Sequence, residues 1–200
     1  MLWVVPLRLA CRIVDNVIDS GCCEANVKNL VVIGGTMGVG KSTTCRELLS
    51  QLDKVVWLDG DWCWMMHPWQ VTTETRAMVE RNIIVLLRNF LSCSVYDTVL
   101  FDWVLDRQST AAAILTGLRD LEFHLTSVSL TCSPEELQKR LAQDGRAPSV
   151  ITDAIDRLPR YRDLPGSLLD TTGLPVSRVA DRVQELMRDG TNRREQASNS

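Results

Sequence analysis

The stretch NLVVIGGTMGVGKST, residues 29–43, constrains the fold of this chain more than any other. Its first part, 29–33, is a short β-branched run that leads into glycines, which is typical of a buried strand. A helical pattern follows from Lys41, with Cys45 and Leu48 on one face. Between them, GTMGVGKS matches the phosphate-loop pattern G-x-x-x-x-G-K-[S/T]. A strand, this loop and a helix in that order predict an α/β domain with a phosphate-binding turn.

The glycines of this loop allow the backbone to curl, so that successive N–H groups point at phosphate oxygens. Lys41 is predicted to reach the β- and γ-phosphates of ATP, and Ser42 to offer its hydroxyl to Mg²⁺. The alternative is a glycine-rich turn that binds nothing, but a lysine buried without an anion is costly. The predicted nucleotide-binding residues of the loop are Gly35, Thr36, Met37, Gly38, Val39, Gly40, Lys41, Ser42 and Thr43.

Strand and helix patterns alternate along the rest of the chain. Further strands are predicted at 54–58, 98–104, 123–132 and 167–170. Further helices are predicted at 72–94, 109–118, from Ser133-Pro134 onward, and at 175–187. Alternation of this kind means a parallel sheet with helices on both faces. The predicted fold is a P-loop NTPase three-layer α/β/α sandwich with a five-stranded parallel sheet and a small lid.

The chain is predicted to have three parts. Residues 1–27 form an extension, and residues 28–188 form the P-loop domain, with its lid at about 142–151. Residues 189–200 are polar and are predicted to be a disordered tail. In the extension, apolar residues fall at helical spacing at Leu7, Ala10, Cys11, Val14, Val17 and Ile18.

Composition excludes several classes of partner. The net charge is −3 and no long basic run occurs, which argues against nucleic-acid binding through a charged face. No apolar run is long enough to span a membrane, and the start lacks the features of a signal peptide. Seven cysteines without C-x-x-C spacing argue against a disulfide framework and a zinc site. We therefore expect a cytoplasmic monomer or homodimer without a nucleic-acid or membrane partner.

Carboxylates follow two of the predicted strands. Asp102 ends TVLFD, while Asp59 and Asp61 come at the end of the second strand. Because ligands of doubly wound sheets lie outside the carboxyl ends of the strands, these residues should share a cleft with the phosphate loop. Ser42, Asp59 and Asp102 are predicted metal residues, with the two carboxylates competing for the main role. Asp61 is predicted to hold and deprotonate an acceptor hydroxyl. The alternative for Asp102 is that it caps the next turn and binds no metal.

The stretch LDGDWCWMMHPW, residues 58–69, places tryptophans directly behind these carboxylates. Trp62 and Trp64, with Trp103 after the third strand, are predicted to wall an acceptor pocket. Arg107 is a further candidate for an acceptor contact. The alternatives are that the aromatic side chains plug the domain beneath the loop and that Arg107 lies in a solvated turn.

Two arginines and one threonine complete the predicted site. Arg140 lies late in a helix and is predicted to stack on the base of the nucleotide. Arg146 lies in a loop flanked by glycine and proline and is predicted to approach the transferring phosphoryl group. Thr172, in the turn DTTG, is predicted to lie near the adenine edge. Each arginine could instead be a surface residue.

These motifs resemble the small P-loop kinases, which include shikimate, gluconate and adenylylsulfate kinases and chloramphenicol phosphotransferase. The resemblance covers about 28–188 and is carried by GTMGVGKST, LDGD, the R-x-x-x-x-x-R pair and DTTG. The WCWMMHPW loop resembles uncharacterised bacterial AAA-type, nucleotide-kinase-like proteins. The resemblance implies ATP and Mg²⁺ as cofactors, and it implies that Asp61 contacts or activates the acceptor. Trp62 stands where adenylylsulfate kinases have asparagine, and DWVLD replaces the glycine run of shikimate kinases, which argues against shikimate as the acceptor.

The sequence thus favours an ATP-dependent phosphotransferase that moves the γ-phosphoryl group of Mg·ATP to a small hydroxyl- or phosphate-bearing acceptor. Nucleosides, nucleotides and antibiotic-like molecules suit the aromatic loop. The alternative is a P-loop ATPase or nucleotide-binding switch without a small-molecule acceptor. A guanine-reading N-K-x-D motif is absent from the sequence, and this argues against one class of switch.

Overall fold

The computed structural model describes residues 27–198 in backbone and residues 27–190 in side chains. The predicted N-terminal extension lies outside the described residues, apart from Val27. Within the described part, none of the helices is long and apolar enough to cross a membrane.

The sheet has five strands, all parallel, in the order β2-β3-β1-β4-β5. Their bounds are β1 Lys28–Gly34, β2 Val55–Asp59, β3 Thr98–Trp103, β4 Phe123–Thr131 and β5 Ser167–Asp170. The last five residues of β1 are buried, as expected for a strand covered on both faces. The chain changes direction across the sheet between β1 and β3, so the carboxyl ends of these strands border the crevice where such folds bind ligands. The predicted five-stranded parallel sheet is confirmed.

Six α-helices and two 3₁₀ segments connect and follow the strands in the described part of the chain. The helices are α1 Lys41–Gln51, α2 Thr73–Ser92, α3 Gln108–Thr116, α4 Pro134–Gln143, α5 Pro148–Arg157 and α6 Val176–Ser198. The 3₁₀ segments span Gly60–Trp64 and Leu158–Tyr161. One core cluster joins the sheet to α1, α4, α5 and α6, and the other joins it to α2 and α3. These two clusters give the predicted three layers.

Two regions differ from the pattern expected from the sequence. Helix α5 occupies the end of the predicted lid and continues beyond it, because Pro148 starts a segment whose apolar residues Ile151, Ala154 and Ile155 face the core. Helix α6 continues to Ser198, past residue 189, where the sequence predicts a disordered tail. No proline interrupts α6, and its last turns are rich in the helix formers arginine, glutamate and glutamine.

Candidate active site

The phosphate loop leaves β1 and enters α1 at the crevice between β1 and β3. Gly38 and Gly40 have φ values of 78° and 106°, a backbone region that favours glycine. A Cβ atom on Gly38 would lie 2.6 Å from the Leu141 side chain, so this close approach also requires glycine. Gly40 is the N-cap of α1 and provides no side-chain cap. The first N–H groups of α1 therefore have no side-chain oxygen from the N-cap and can donate to phosphate oxygens.

Lys41 begins α1 directly behind this loop. Its Nζ donates a hydrogen bond to the Thr36 carbonyl at 3.2 Å. Burial lowers the pKa of Lys41, while the negative charges of Asp102, Asp61 and Asp59 act in the opposite direction. A desolvated ammonium group behind converging N–H groups suits a polyanionic ligand. The negative charge of such a ligand would compensate for the hydration that the ammonium group loses on burial.

Ser42 lies between two carboxylates. Its hydroxyl oxygen is 3.1 Å from Oδ2 of Asp59 and 3.0 Å from Oδ2 of Asp102. Within residues 27–190, no group of three or more His, Cys, Asp or Glu side chains is arranged to enclose a metal ion. A hydroxyl with two carboxylates instead fits Mg²⁺, which prefers oxygen ligands and uses few protein ligands beside phosphates and water. The sequence left the choice between Asp59 and Asp102 open, and both lie at this hydroxyl.

Asp102, the last residue but one of β3, has no exposed surface. Its second oxygen, Oδ1, accepts a hydrogen bond from Nε1 of Trp57 at 2.6 Å. Burial raises the pKa of Asp102, and the hydrogen bonds from Trp57 and Ser42 lower it. Trp57 lies in the middle of β2, where the sequence pattern indicates only a core residue, so this contact was missed. No local signal identifies it, because the contact depends on the pairing of β2 with β3.

Asp59 and Asp61 are held by a tight turn. Asp59 is the N-cap of the Gly60–Trp64 segment, and its Oδ1 accepts from the backbone N–H of Asp61 at 2.9 Å. A Cβ atom on Gly60 would lie 2.5 Å from Cγ of Trp103, so glycine permits the close packing of Trp103 on this turn. The two oxygens of Asp59 are therefore divided between the turn and Ser42.

Asp61 carries a perturbed carboxyl group at the surface of this turn. Burial by surrounding atoms raises its pKa, and the negative charge of Asp59 raises it further. Lys41 and a hydrogen bond from the Trp103 side chain oppose this rise. A carboxylate with a raised pKa near a phosphate site is a better proton acceptor than an ordinary aspartate.

The tryptophans form two groups rather than one wall. Trp62 packs against Trp57 on the α1 side, with ring centroids 5.1 Å apart, and Arg46 lies over the Trp57 ring at 5.7 Å. Trp64 packs against Trp69 on the other side, with centroids 5.4 Å apart. Trp62 is 52% exposed and Trp69 is 63% exposed, so each group presents aromatic surface to solvent.

Arg140 joins α4 to the phosphate loop. Its Nη1 donates to the Val39 carbonyl at 3.2 Å, and its Nη2 donates to the Thr171 carbonyl at 3.0 Å. Its Nε forms an ion pair with Glu136 at 2.9 Å. These contacts hold the loop and the β5–α6 turn together, so the predicted stacking of Arg140 on a base remains a prediction.

A cavity of about 390 Å³ lies beside Arg140, between the phosphate loop and the start of α6. Its lining includes Gly40, Thr43 and Val176. Thr172, predicted near the adenine edge, accepts from the Ser133 N–H and donates to Asp170. The cavity adjoins the phosphate loop at Gly40, and the predicted place of Thr172 near an adenine edge stays a prediction.

The remaining predicted residues lie around this centre. Thr36 is buried and its hydroxyl donates to the Ala154 carbonyl at 3.0 Å, which ties the loop to α5. Met37 is exposed on the loop. Arg146 is exposed in the turn between α4 and α5, and Arg107 is exposed at the N-cap of α3. The roles predicted for both arginines remain predictions.

A family model described as an AAA domain matches residues 31–158, more than half of the chain. The chain belongs to this AAA domain family. No curated protein shows significant similarity to the sequence. The matched span of this AAA domain runs from within β1 to just past the end of α5 and contains the phosphate loop, Asp59, Asp61, Asp102 and Arg140.

Several solved structures share the fold of this AAA domain protein. A gluconokinase from Sinorhizobium meliloti 1021 has a TM-score of 0.63 and 17% identity, over 86% of this chain and 97% of that one. The tunicamycin resistance protein of Deinococcus radiodurans has a TM-score of 0.61 and 18% identity, over 78% of this chain and 93% of that one. A shikimate kinase from Acinetobacter baumannii, in complex with shikimate, has a TM-score of 0.57 and 21% identity, over 82% of this chain and 94% of that one. The protein therefore has the nucleotide-binding fold of the small P-loop kinases, as the sequence predicts.

Proposed function

We propose that this protein is a Mg²⁺- and ATP-dependent kinase that phosphorylates a small hydroxyl- or phosphate-bearing molecule held beside Asp61. The observation that carries the proposal is the convergence of three groups at neighbouring strand ends. These are the desolvated Lys41 in the phosphate loop, the Ser42 hydroxyl between two carboxylates, and Asp61 with its raised pKa. Phosphoryl transfer requires positioning and charge neutralisation more than covalent help from the protein, and these groups provide both.

Each residue has a distinct task in this proposal. Lys41 and the N–H groups of the loop bind phosphate oxygens, while Ser42, Asp59 and Asp102 hold the metal ion. When bound, ATP would supply the γ-phosphoryl group, and Mg²⁺ would neutralise part of the charge on its phosphate oxygens. Asp61 accepts a hydrogen bond from the acceptor hydroxyl and takes its proton as the new bond to phosphorus forms. ADP carries away the electron pair of the broken bond.

The exposed aromatic surface beside Asp61 supports an acceptor with a ring or an apolar part. Nucleosides, nucleotides and antibiotic-like alcohols have this character. The presence of a tunicamycin resistance protein among the proteins of the same fold supports including antibiotics among the acceptors to be tested.

A two-stage experiment tests the proposal. Mg·ATP is first titrated against the parent and Lys41→Ala, with melting temperature and tryptophan emission as readouts. We expect both readouts to move in the parent alone, because Lys41 supplies the charge of the loop. ADP release is then measured with a panel of nucleosides, nucleotides, sugars and antibiotic alcohols. Faster release with one acceptor supports a kinase, whereas binding without acceleration by any acceptor supports the ATPase or switch.

The role of Asp61 is tested with the accelerating acceptor. Asp61→Asn is expected to keep Mg·ATP binding and to lose about 10²-fold or more in transfer, the usual scale for a missing general base. Asp97→Asn is the matched control, since Asp97 precedes β3 at the opposite end of the sheet and pairs with Lys54. Equal transfer rates in Asp61→Asn and the parent would remove Asp61 from the mechanism.

A further inference from the structure

Trp64 lies on the same face of the 3₁₀ segment Gly60–Trp64 as Asp61. A 3₁₀ helix has three residues per turn, so side chains three positions apart lie one above the other. Asp61 and Trp64 are three positions apart and both belong to this segment. Trp62, one position after Asp61, points about a third of a turn away and packs against Trp57 instead. Within this segment, the ring on the side of the Asp61 carboxylate is therefore that of Trp64.

Trp103 supports this placement from a different strand. Its side chain donates a hydrogen bond to the Asp61 carboxylate. Trp103 and Trp64 both pack against the core cluster beneath α2 and α3. Trp57, by contrast, packs against the cluster on the other face of the sheet, which includes residues of α1. An acceptor held by Asp61 therefore meets the rings on the α2 side rather than those on the α1 side.

The spacing between Asp61 and Trp64 selects the shape of the acceptor. A 3₁₀ helix rises about 2 Å per residue, so the two residues lie about 6 Å apart along the segment. A phenol has its hydroxyl on the ring itself, and a simple sugar has no flat apolar ring. A nucleoside has a sugar hydroxyl at one end and a planar base at the other. It can place its hydroxyl at Asp61 and its base against Trp64 at the same time.

The charges around Asp61 favour a hydroxyl over a phosphate as the acceptor group. The negative charge of Asp59 already acts on Asp61 and raises its pKa. A phosphate group is negatively charged at neutral pH and would meet both carboxylates, whereas a hydroxyl can donate its proton to Asp61. Lys41 opposes this repulsion, but in the proposed reaction its charge is taken by the phosphates of ATP. A nucleoside therefore fits the site better than a nucleotide does.

Trp69 provides a wall that can adjust to the base. Trp64 is held because it packs against the core, whereas Trp69 is 63% exposed. Residues 66–71 make one hydrogen bond to the described part of the chain, from the Thr75 hydroxyl to the Gln70 carbonyl at 2.8 Å. The contact with Trp64, at 5.4 Å between ring centroids, is therefore a main constraint on the Trp69 ring. Exposed apolar surface beside a reaction site is typical of a place where a ligand binds.

We propose that the acceptor is a nucleoside whose base stacks on Trp64 and Trp69 while its sugar hydroxyl is held by Asp61. This inference rests on the proposed kinase function for the role of Asp61, and it adds the class of acceptor and the residues that select it. Stacking uses the flat face that every base has, so the pair accepts purines and pyrimidines alike. A sugar without a base lacks this contact and binds more weakly.

Binding of nucleosides in the absence of ATP tests the proposal, because it does not depend on phosphoryl transfer. The probes are uridine, cytidine and inosine, with methyl riboside as the sugar without a base. Adenosine is left out, because its base could enter the site of the ATP base. We expect calorimetry to give each nucleoside an affinity at least about 10-fold higher than that of methyl riboside, the scale of one base stacked on an aromatic ring.

Trp69→Ala locates the stacking surface. It should lower nucleoside affinity about 10-fold and leave the affinity for methyl riboside unchanged, while Trp69→Phe should keep most of the nucleoside affinity. Val71→Ala is the matched control, because Val71 is an exposed apolar residue of the same loop and does not belong to the tryptophan pair. Both positions are exposed, so melting temperatures close to that of the parent should show that each variant is folded.

Three results would overturn the proposal. Nucleosides that bind no better than methyl riboside in the parent would show that the base is not recognised. A greater loss of nucleoside affinity in Trp62→Ala than in Trp69→Ala would place the base on the other tryptophan pair. An equal loss in Val71→Ala and Trp69→Ala would assign the effect to the loop as a whole.

These results are separable from a failure of the kinase function. If a sugar accelerates ADP release and no nucleoside does, the kinase function stands and the nucleoside proposal is wrong. If nucleosides bind through Trp69 and no acceptor accelerates ADP release, the stacking site is supported and the kinase function is overturned.

Discussion

The indole N–H of Trp57 donates a 2.6 Å hydrogen bond to Oδ1 of Asp102 and thereby turns the other oxygen of this carboxylate toward Ser42. Asp102 is fully buried, so its orientation is set by such partners rather than by water. Trp57 is itself fixed, because Trp62 packs on its ring and Arg46 lies over it. Trp57 is thus a positioning residue for a predicted metal carboxylate.

Trp57→Phe tests this relationship, because phenylalanine keeps an aromatic ring and removes the N–H donor. We expect the apparent Kd for Mg²⁺, measured in the presence of ATP, to rise about 10-fold, the lower end of the usual cost of losing such a supporting contact. ATP binding without Mg²⁺ should be unchanged, and calorimetry measures both. Trp62→Phe keeps the hydrogen bond and is the control. An unchanged apparent Kd for Mg²⁺ in Trp57→Phe would show that the contact is structural only.

The hydrogen bond from Trp103 to Asp61 predicts a pH effect. This hydrogen bond lowers the pKa of Asp61, against burial and Asp59, which raise it. In Trp103→Phe the pKa of Asp61 therefore rises further. Because a general base must be ionised, activity falls as pH drops through this pKa, and the acid limb of kcat/KM should move to higher pH. Trp64→Phe, on the same side of the loop, should leave the limb in place, and a limb that moves to lower pH in Trp103→Phe would contradict the assignment.

Gly60 predicts a packing effect on the same turn. In Gly60→Ala the new methyl carbon would lie 2.5 Å from Cγ of Trp103, so the turn or the indole must move. We expect the free energy of unfolding in urea to fall by about 1–3 kcal/mol, as for other overpacked sites. If the clash is the cause, Trp103→Ala should cost less in the Gly60→Ala background than in the parent. Equal costs in the two backgrounds would show that Gly60 and Trp103 do not compete for space.

The parts predicted from sequence are those with a strong local signal. The phosphate loop has a fixed spacing, β1 is a β-branched run before glycines, and Ser133 caps α4 by accepting from the Glu136 N–H at 3.2 Å. The site residues that sequence missed depend on contacts between distant segments. Trp57 meets Asp102 only because β2 pairs with β3, and no pattern within either strand marks that pair. Helix α5 was not predicted, because Gly145 and Pro148 on either side of Arg146 indicate a loop, whereas the burial of Ile151 and Ala154 that stabilises the helix depends on distant parts of the chain.

Arg140 offers a test that separates two roles. Its guanidinium group holds the Val39 carbonyl of the phosphate loop and the Thr171 carbonyl at once, and lysine lacks the planar fork needed for both. If this contact shapes the loop, Arg140→Lys should weaken binding of ATP and of inorganic triphosphate by the same factor, on the order of 10-fold for the loss of one charged hydrogen bond. If Arg140 instead acts by stacking on the base, ATP binding should weaken and triphosphate binding should not.

Glu136→Gln removes only the ion pair to Nε, so it should change both affinities less than Arg140→Lys does. Because the two contacts to backbone carbonyls already fix the guanidinium, we expect the equal loss.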